Sequence, residues 1–233
     1  MPMRNRKTAV RLLLVSSLLT TLPMWGADKT KDEETIRNAA SVLQAMVSSK
    51  DVPRGVLAKA DCIIVLPSVK KFAVGIGGSG GPGPMSCRTG SDFKGKWSAP
   101  AMMSIGGASA GFQIGGTSTD FVIAILTQGA VAKVVNGKVK VGSDVSAAAG
   151  PGASAGAGAV GGADMLTYSR TSGLFAGVSL NGASLSPDGD ANQRLYDKSV
   201  SAMDIVRHGD VTATPAGASF ASLLNSKVPT HTE

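Results

Sequence analysis

Histidine, cysteine and aromatic residues are scarce in this chain. It has two histidines, two cysteines and 4% aromatics across 233 residues. The histidines are His208 and His231, far from Cys62 and Cys87, so no zinc-ligand spacing is present. No C-x-x-C pair marks a redox site either. General acid–base chemistry leans on histidine more than on any other side chain, so the chain offers few catalytic candidates, and no cofactor is expected. The uncharged, largely apolar stretch near the N-terminus, Leu12 to Leu22, is too short to span a bilayer comfortably as a helix.

What is present begins with a basic N-terminus. Arg4, Arg6, Lys7 and Arg11 precede the apolar run, and Gly26-Ala27 supplies small residues after it, the pattern of a secretory signal. The expected organisation is a signal peptide over residues 1–27 and one domain over residues 28–233, in a periplasmic or secreted protein associated peripherally with a membrane. The formal charge of +7 suggests a nucleic-acid partner at first sight. Four of the 23 basic residues leave with the signal, however, and 19 then stand against 16 acids, or +3. Nucleic acid is therefore not an expected partner. In an oxidising compartment Cys62 and Cys87 form either a disulfide or two buried thiols.

Periodicity predicts mixed structure. Thr30 with Glu33 has capping-box spacing, and Ile36, Ala40, Leu43 and Val47 repeat at helical intervals, predicting a helix over 31–49. Pro53 suits the first turn of a short second helix ending near Ala60. Cys62 to Leu66 and Phe121 to Leu126 read as strands buried on both faces. Around Phe72, Phe112 and Leu174, large residues alternate with glycine or alanine, so one sheet face is nearly bare. A helix is expected over Asp197 to His208, stopped by Gly209. A last helix is expected from Thr214-Pro215 through Leu224.

The block from Trp97 to Asp120, W-S-A-P-A-M-M-S-I-G-G-A-S-A-G-F-Q-I-G-G-T-S-T-D, is followed by G-S-D-V-S-A-A-A-G-P from Gly142 to Pro151. Then come Y-S-R-T-S-G-L-F-A-G-V-S-L-N-G from Tyr168 to Gly182, Asn192 and Tyr196. Together they resemble the SYLF domain family, also called Ysc84-like or DUF500, from about Ala39 to Leu224. The resemblance implies lipid binding without enzymatic activity. Relatives with SH3 or FYVE modules bind phosphoinositides and, in fungi, actin. For an exported chain it implies anionic phospholipid such as phosphatidylglycerol, cardiolipin or phosphatidic acid. An envelope scaffold or protein-interaction domain is the alternative. The expected fold is α+β, a curved, barrel-like antiparallel sheet with an N-terminal helix and C-terminal helices packed around it.

Candidate lipid-binding residues are basic. Asn136-Gly137 predicts a two-residue hairpin turn within Val131 to Val141. That register puts Ala132, Val134, Val139 and Val141 in the core and gathers Lys133, Lys138 and Lys140 on the other face, where like charges repel. Lys70 and Lys71 follow Pro67-Ser68-Val69, while Lys94 and Lys96 precede Trp97, a residue type frequent at membrane interfaces.

Other motif matches fail on context. Gly75 to Gly80 fits G-x-G-x-x-G, but Gly81-Pro82-Gly83-Pro84 cannot start the helix that a dinucleotide site requires. G-x-S-x-G occurs at Ser79, Ser109 and Ser154, and a single nucleophile elbow does not come in threes. Asp188-Gly189-Asp190-Ala191-Asn192 begins like a calcium loop, yet Gln193 occupies the glycine position, followed by Arg194, and Ser199 the closing glutamate, so an Asx-type turn is expected. Asp120, Asp144, Asp164 and Tyr168 are the remaining polar candidates, with the carboxylates expected to satisfy backbone groups at strand ends and turns.

Overall fold

The computed structural model describes residues 25–72, 77–109, 118–144, 147–149, 162–171, 174–175, 180 and 182–231. Helix α1 spans Trp25–Ser48 and α2 spans Arg54–Lys59. Strands β1 (Cys62–Phe72), β2 (Gly77–Cys87), β3 (Ala101–Ser109) and β4 (Ser118–Ile125) follow, then α3 (Gln128–Asn136). Short strands β5 (Val139–Lys140) and β6 (Ala147–Ala149) lead to β7 (Met165–Thr171), β8 (Leu174–Phe175) and β9 (Ser184–Pro187). The chain ends in α4 (Gly189–Tyr196), a π-helical turn over Asp204–His208 and α5 (Pro215–Lys227). The fold is α+β, a curled half-barrel sheet with an N-terminal helix and C-terminal helices. Strand order is β5-β9-β3-β2-β1-β4-β7-β6, with β8 on β7, and every pairing is antiparallel except β6 with β7.

Both faces of the central strands are covered. Cys62, Ile64 and Leu66 of β1 pack with Phe121, Ile123 and Ile125 of β4 and with α3 in one core. Ile63 and Val65 pack with Val122, Ala124 and Tyr168 against α1, α4 and α5 in the other. Each fully buried large aliphatic contributes about 1.5–3 kcal/mol, which is why these strands read as continuous apolar runs. Cys62 stands directly opposite Cys87 in the β1–β2 register, and a disulfide joins them across 25 residues of chain.

A bulge interrupts β1. Its pairing with β2 shifts between Ile64 and Lys70, and its pairing with β4 shifts between Leu66 and Val69. Ser68 adopts φ 53° there, and its freed N–H donates to Asp120 Oδ1 at 2.8 Å. The extra residue reverses side-chain facing. Val69 joins the core lined by Leu66, and Lys70 turns to the opposite face, where it is exposed.

Three expectations need correction. The predicted hairpin at Asn136-Gly137 is instead the end of α3. Ala130, Val131, Val134 and Val135 form a buried helical stripe, and Thr127 caps the helix by accepting from Ala130 N. Gly137 is extended at φ −177°, not at the positive φ a two-residue turn needs. Ala132 is exposed rather than in the core, and Val135 is buried. In α1, Thr30 lies inside the helix and donates from Oγ1 to Gly26 O at 2.9 Å, so its capping-box spacing marks no terminus. Finally, Asp197 ends α4 in the left-handed region at φ 54°. The next helical turn starts afresh after Ser201, whose Oγ accepts from Asp204 N. Gly209, at φ 74°, closes that turn as expected. Thr214 and Pro215 also take the expected N-cap and first helical positions. The alternations expected around Phe112 and at Ala176 to Val178 lie outside the described residues.

Gly83 lies where β2 crosses the bulged part of β1. A Cβ there would sit 2.0 Å from Val65 O and 2.9 Å from Leu66 Cα, both backbone atoms. Overpacking against backbone exceeds the usual 1–3 kcal/mol range, so Gly83→Ala should lower unfolding free energy by about 3 kcal/mol or more. Urea denaturation checks this, with an unchanged midpoint as the contrary result.

Candidate anion-binding surfaces

Two basic surfaces occupy opposite ends of the sheet. The first is the β2–β3 loop, Arg88 to Trp97. Its backbone closes on itself, with Thr89 N donating to Lys96 O and Gly95 N to Thr89 O, both at 2.9 Å. Arg207 grips the loop from the π-helical turn. Nη1 donates to Arg88 O and Nη2 to Gly90 O, each at 2.7 Å, and the guanidinium lies 3.7 Å from the Phe93 ring centroid. Arg88 turns inward, donating from Nε to Ala60 O at 3.1 Å and from Nη2 to Pro229 O, with its guanidinium over the Trp97 ring. Lys94 and Lys96 remain exposed on this frame, with Asp92 3.7 Å from Lys94 Nζ. Trp97 is 5% exposed, so its indole packs in the core instead of forming exposed surface. A cleft of about 270 Å³ separates the loop from Asn225 and Val228 to Thr230.

Asp61 lies buried beneath this loop. Burial pushes its carboxyl up to about 6, against the pull of Arg207 and Arg88. His231 Nε2 approaches Asp61 Oδ1 at 3.9 Å. No sequence spacing reveals this cluster, because Arg88 and Arg207 are drawn together only by the fold.

The second surface follows one register row across the sheet. Lys70 pairs with Gly80, Gly80 with Gly106, Gly106 with Ser184, and Ser184 with Lys140. Directly paired residues share a face, so Lys70 and Lys140 flank a row whose other members carry at most a hydroxymethyl group. Four interstrand steps separate them by about 19 Å along the sheet. Both lysines are exposed. Lys133 reaches the same corner and donates from Nζ to Asp144 O at 2.8 Å. Asp144 accepts from Lys140 N at 2.7 Å and from Ser143 Oγ at 3.1 Å, and these bonds hold its carboxyl below the usual range. Lys138, exposed after α3, completes the three lysines. Lys133 and Lys140 converge on Asp144 through a helix-to-strand corner and not through a hairpin. Lys71 pairs with Ser79, and its side chain is outside the described residues. The two surfaces are about 23 Å apart along β2, from Gly80 to Cys87.

The other motif residues hold the scaffold. Asn192 Oδ1 accepts from Met102 N at 2.7 Å and its Nδ2 donates to Met102 O, pinning α4 to β3. The Tyr196 hydroxyl donates to Pro100 O. Asp164 Oδ1 accepts from Thr127 Oγ1 at 2.8 Å, and Asp188 caps α4 by accepting from Ala191 N. The Tyr168 hydroxyl is buried with no hydrogen-bond partner among the described residues, and burial pushes it up to about 12. These positions form no catalytic constellation.

A family model described as Las17-binding protein actin regulator, Ysc84, matches residues 106–227. An SH3 domain-containing protein of Schizosaccharomyces pombe is 38% identical over 191 residues, covering 79% of this chain and 43% of that protein. SH3 domain-containing YSC84-like protein 1 of Rattus norvegicus is 32% identical over 204 residues, 86% of this chain and 58% of its own. LAS seventeen-binding protein 3 of Saccharomyces cerevisiae is 32% identical over 204 residues, 82% of this chain and 43% of its own. The chain thus spans about half the length of these relatives.

Asp61 has a consequence for stability. Its carboxyl binds a proton more tightly folded than unfolded, so its contribution is complete below about pH 4 and lost as pH rises through about 6. The total is at most about 2–3 kcal/mol. Asp61→Asn should flatten the stability curve between about pH 4 and 6. Urea titrations across that window test this, and an unaltered slope would count against it.

Proposed function

The chain belongs to the Ysc84 family, and from that membership we propose that it is a non-enzymatic domain binding anionic phospholipid headgroups at a membrane surface. The observation that supports this most is the register row joining Lys70 to Lys140, with Lys133 and Lys138 at its corner. Lysines near an anionic membrane each contribute about 1 kcal/mol, and glycines between them let headgroups approach the sheet closely. No helix among the described residues is long and apolar enough to cross a membrane, so this reading is of peripheral contact. The reading also places the chain in the periplasm or outside the cell. The basic and apolar N-terminal pattern supports that placement, as does a disulfide suited to an oxidising compartment.

A second reading is a protein-interaction domain. It is favoured by the matched family's description and by the yeast relative's name, both of which specify Las17 binding.

Flotation with vesicles separates the readings. Binding should favour phosphatidylglycerol, cardiolipin or phosphatidic acid over phosphatidylcholine and weaken with salt. Lys70→Ala with Lys140→Ala should weaken it about 30-fold, from roughly 1 kcal/mol per lysine. Lys94→Ala with Lys96→Ala serves as the comparison from the other end of the sheet. Loss only in the latter pair would move the contact to the β2–β3 loop, and no binding to any vesicle would leave the protein-partner reading.

A further inference from the structure

We propose that Asp204, His208 and Asp210 form a binding site for a divalent transition-metal ion of the zinc class. One ligand atom from each lies within 4.8 Å of the other two. His208 Nδ1 and Asp204 Oδ1 are already 3.1 Å apart. Zinc holds imidazole nitrogen and carboxylate oxygen at about 2.0–2.2 Å, which sets neighbouring ligands roughly 3.0–3.5 Å apart. The histidine–aspartate pair therefore has the spacing of two ligands on one ion.

The local backbone explains this convergence. Asp204 and His208 begin and end the π-helical turn, and Gly209 at φ 74° reverses the chain so that Asp210 N donates to Asp204 O at 3.2 Å. Ser201 fixes the Asp204 carboxylate from outside the group, donating from Oγ to Oδ2 at 2.6 Å. Lys198 Nζ donates to the backbone carbonyl of Asp210, and among the described residues the Asp210 carboxylate has no hydrogen-bond partner. The donor set sorts the ion class. An imidazole with two carboxylates suits zinc and its first-row neighbours, whereas calcium and magnesium prefer oxygen alone. Three protein ligands also leave a coordination position for water. This site is independent of the lysine surfaces and of the lipid reading.

Calorimetric titration of the oxidised chain with ZnCl2 tests the proposal, since keeping Cys62 and Cys87 bonded removes thiolates as competing ligands. One saturable equivalent is expected, with no comparable binding of MgCl2 or CaCl2. With zinc at 100 times its dissociation constant, the melting temperature should rise by about 5–10 °C. His208→Ala and Asp210→Asn should each weaken binding at least about tenfold. His231→Ala, at the other histidine, should leave it unchanged. The His208 side chain is 59% exposed, so its removal spares the fold, as circular dichroism would verify. Zinc binding weaker than about 1 mM, binding that survives His208→Ala, or binding lost in His231→Ala would each overturn the assignment.

Discussion

Two-sided burial of the central strands is the constraint from which the rest of this structure follows. Because β1 and β4 face apolar cores on both sides, neither can place a charged side chain along Cys62–Leu66 or Phe121–Ile125. Charge is pushed to the strand ends and the connecting loops. At the bulge around Ser68 a central strand escapes this rule. The bulge requires an unpaired N–H, which the Asp120 carboxylate satisfies, and it carries Lys70 out of the core. A motif aspartate with no catalytic partner thereby controls where a basic side chain faces.

The same division of labour holds for Asn192 and Tyr196 of the family fingerprint and for polar residues outside it. Asn192, Tyr196, Asp164 and Asp188 satisfy backbone or side-chain groups that bind one element to the next. Buried groups of this kind are expensive to leave unpaired, so they mark the fold. The lysines, by contrast, sit on the surface this scaffold shapes. The resemblance to known relatives therefore informs architecture far more directly than it identifies a ligand.

Much of the architecture was legible because local chemistry and global packing agree. Apolar runs announced β1 and β4, and Thr214-Pro215 announced α5. The segment 131–141 misled because its valines suit strands by propensity, and Asn-Gly is a strong turn signal. The buried stripe of Ala130, Val131, Val134 and Val135 has helical spacing as well, and the Thr127 cap settled the competition in favour of helix. The lysine row was invisible for a different reason. It depends on five strands in register and on a one-residue bulge, neither of which has a local sequence signature. Asp204, His208 and Asp210 have no recognised zinc-ligand spacing in the sequence, and Gly209 with the π-helical turn brings the three together.

The grip of Arg207 on the β2–β3 loop joins parts of the chain made far apart in time. The loop's carbonyls at Arg88 and Gly90 are emitted early in synthesis, and the guanidinium that holds them is emitted more than a hundred residues later. Until that late segment docks, the loop carrying Lys94 and Lys96 lacks this hold and keeps only its own backbone bonds and those of Arg88 to Ala60 and Asp61. Once it docks, the loop loses its freedom before any ligand arrives, so a partner meets a surface whose ordering entropy has already been spent. A rigid basic loop is therefore also a sign that the C-terminal third has folded.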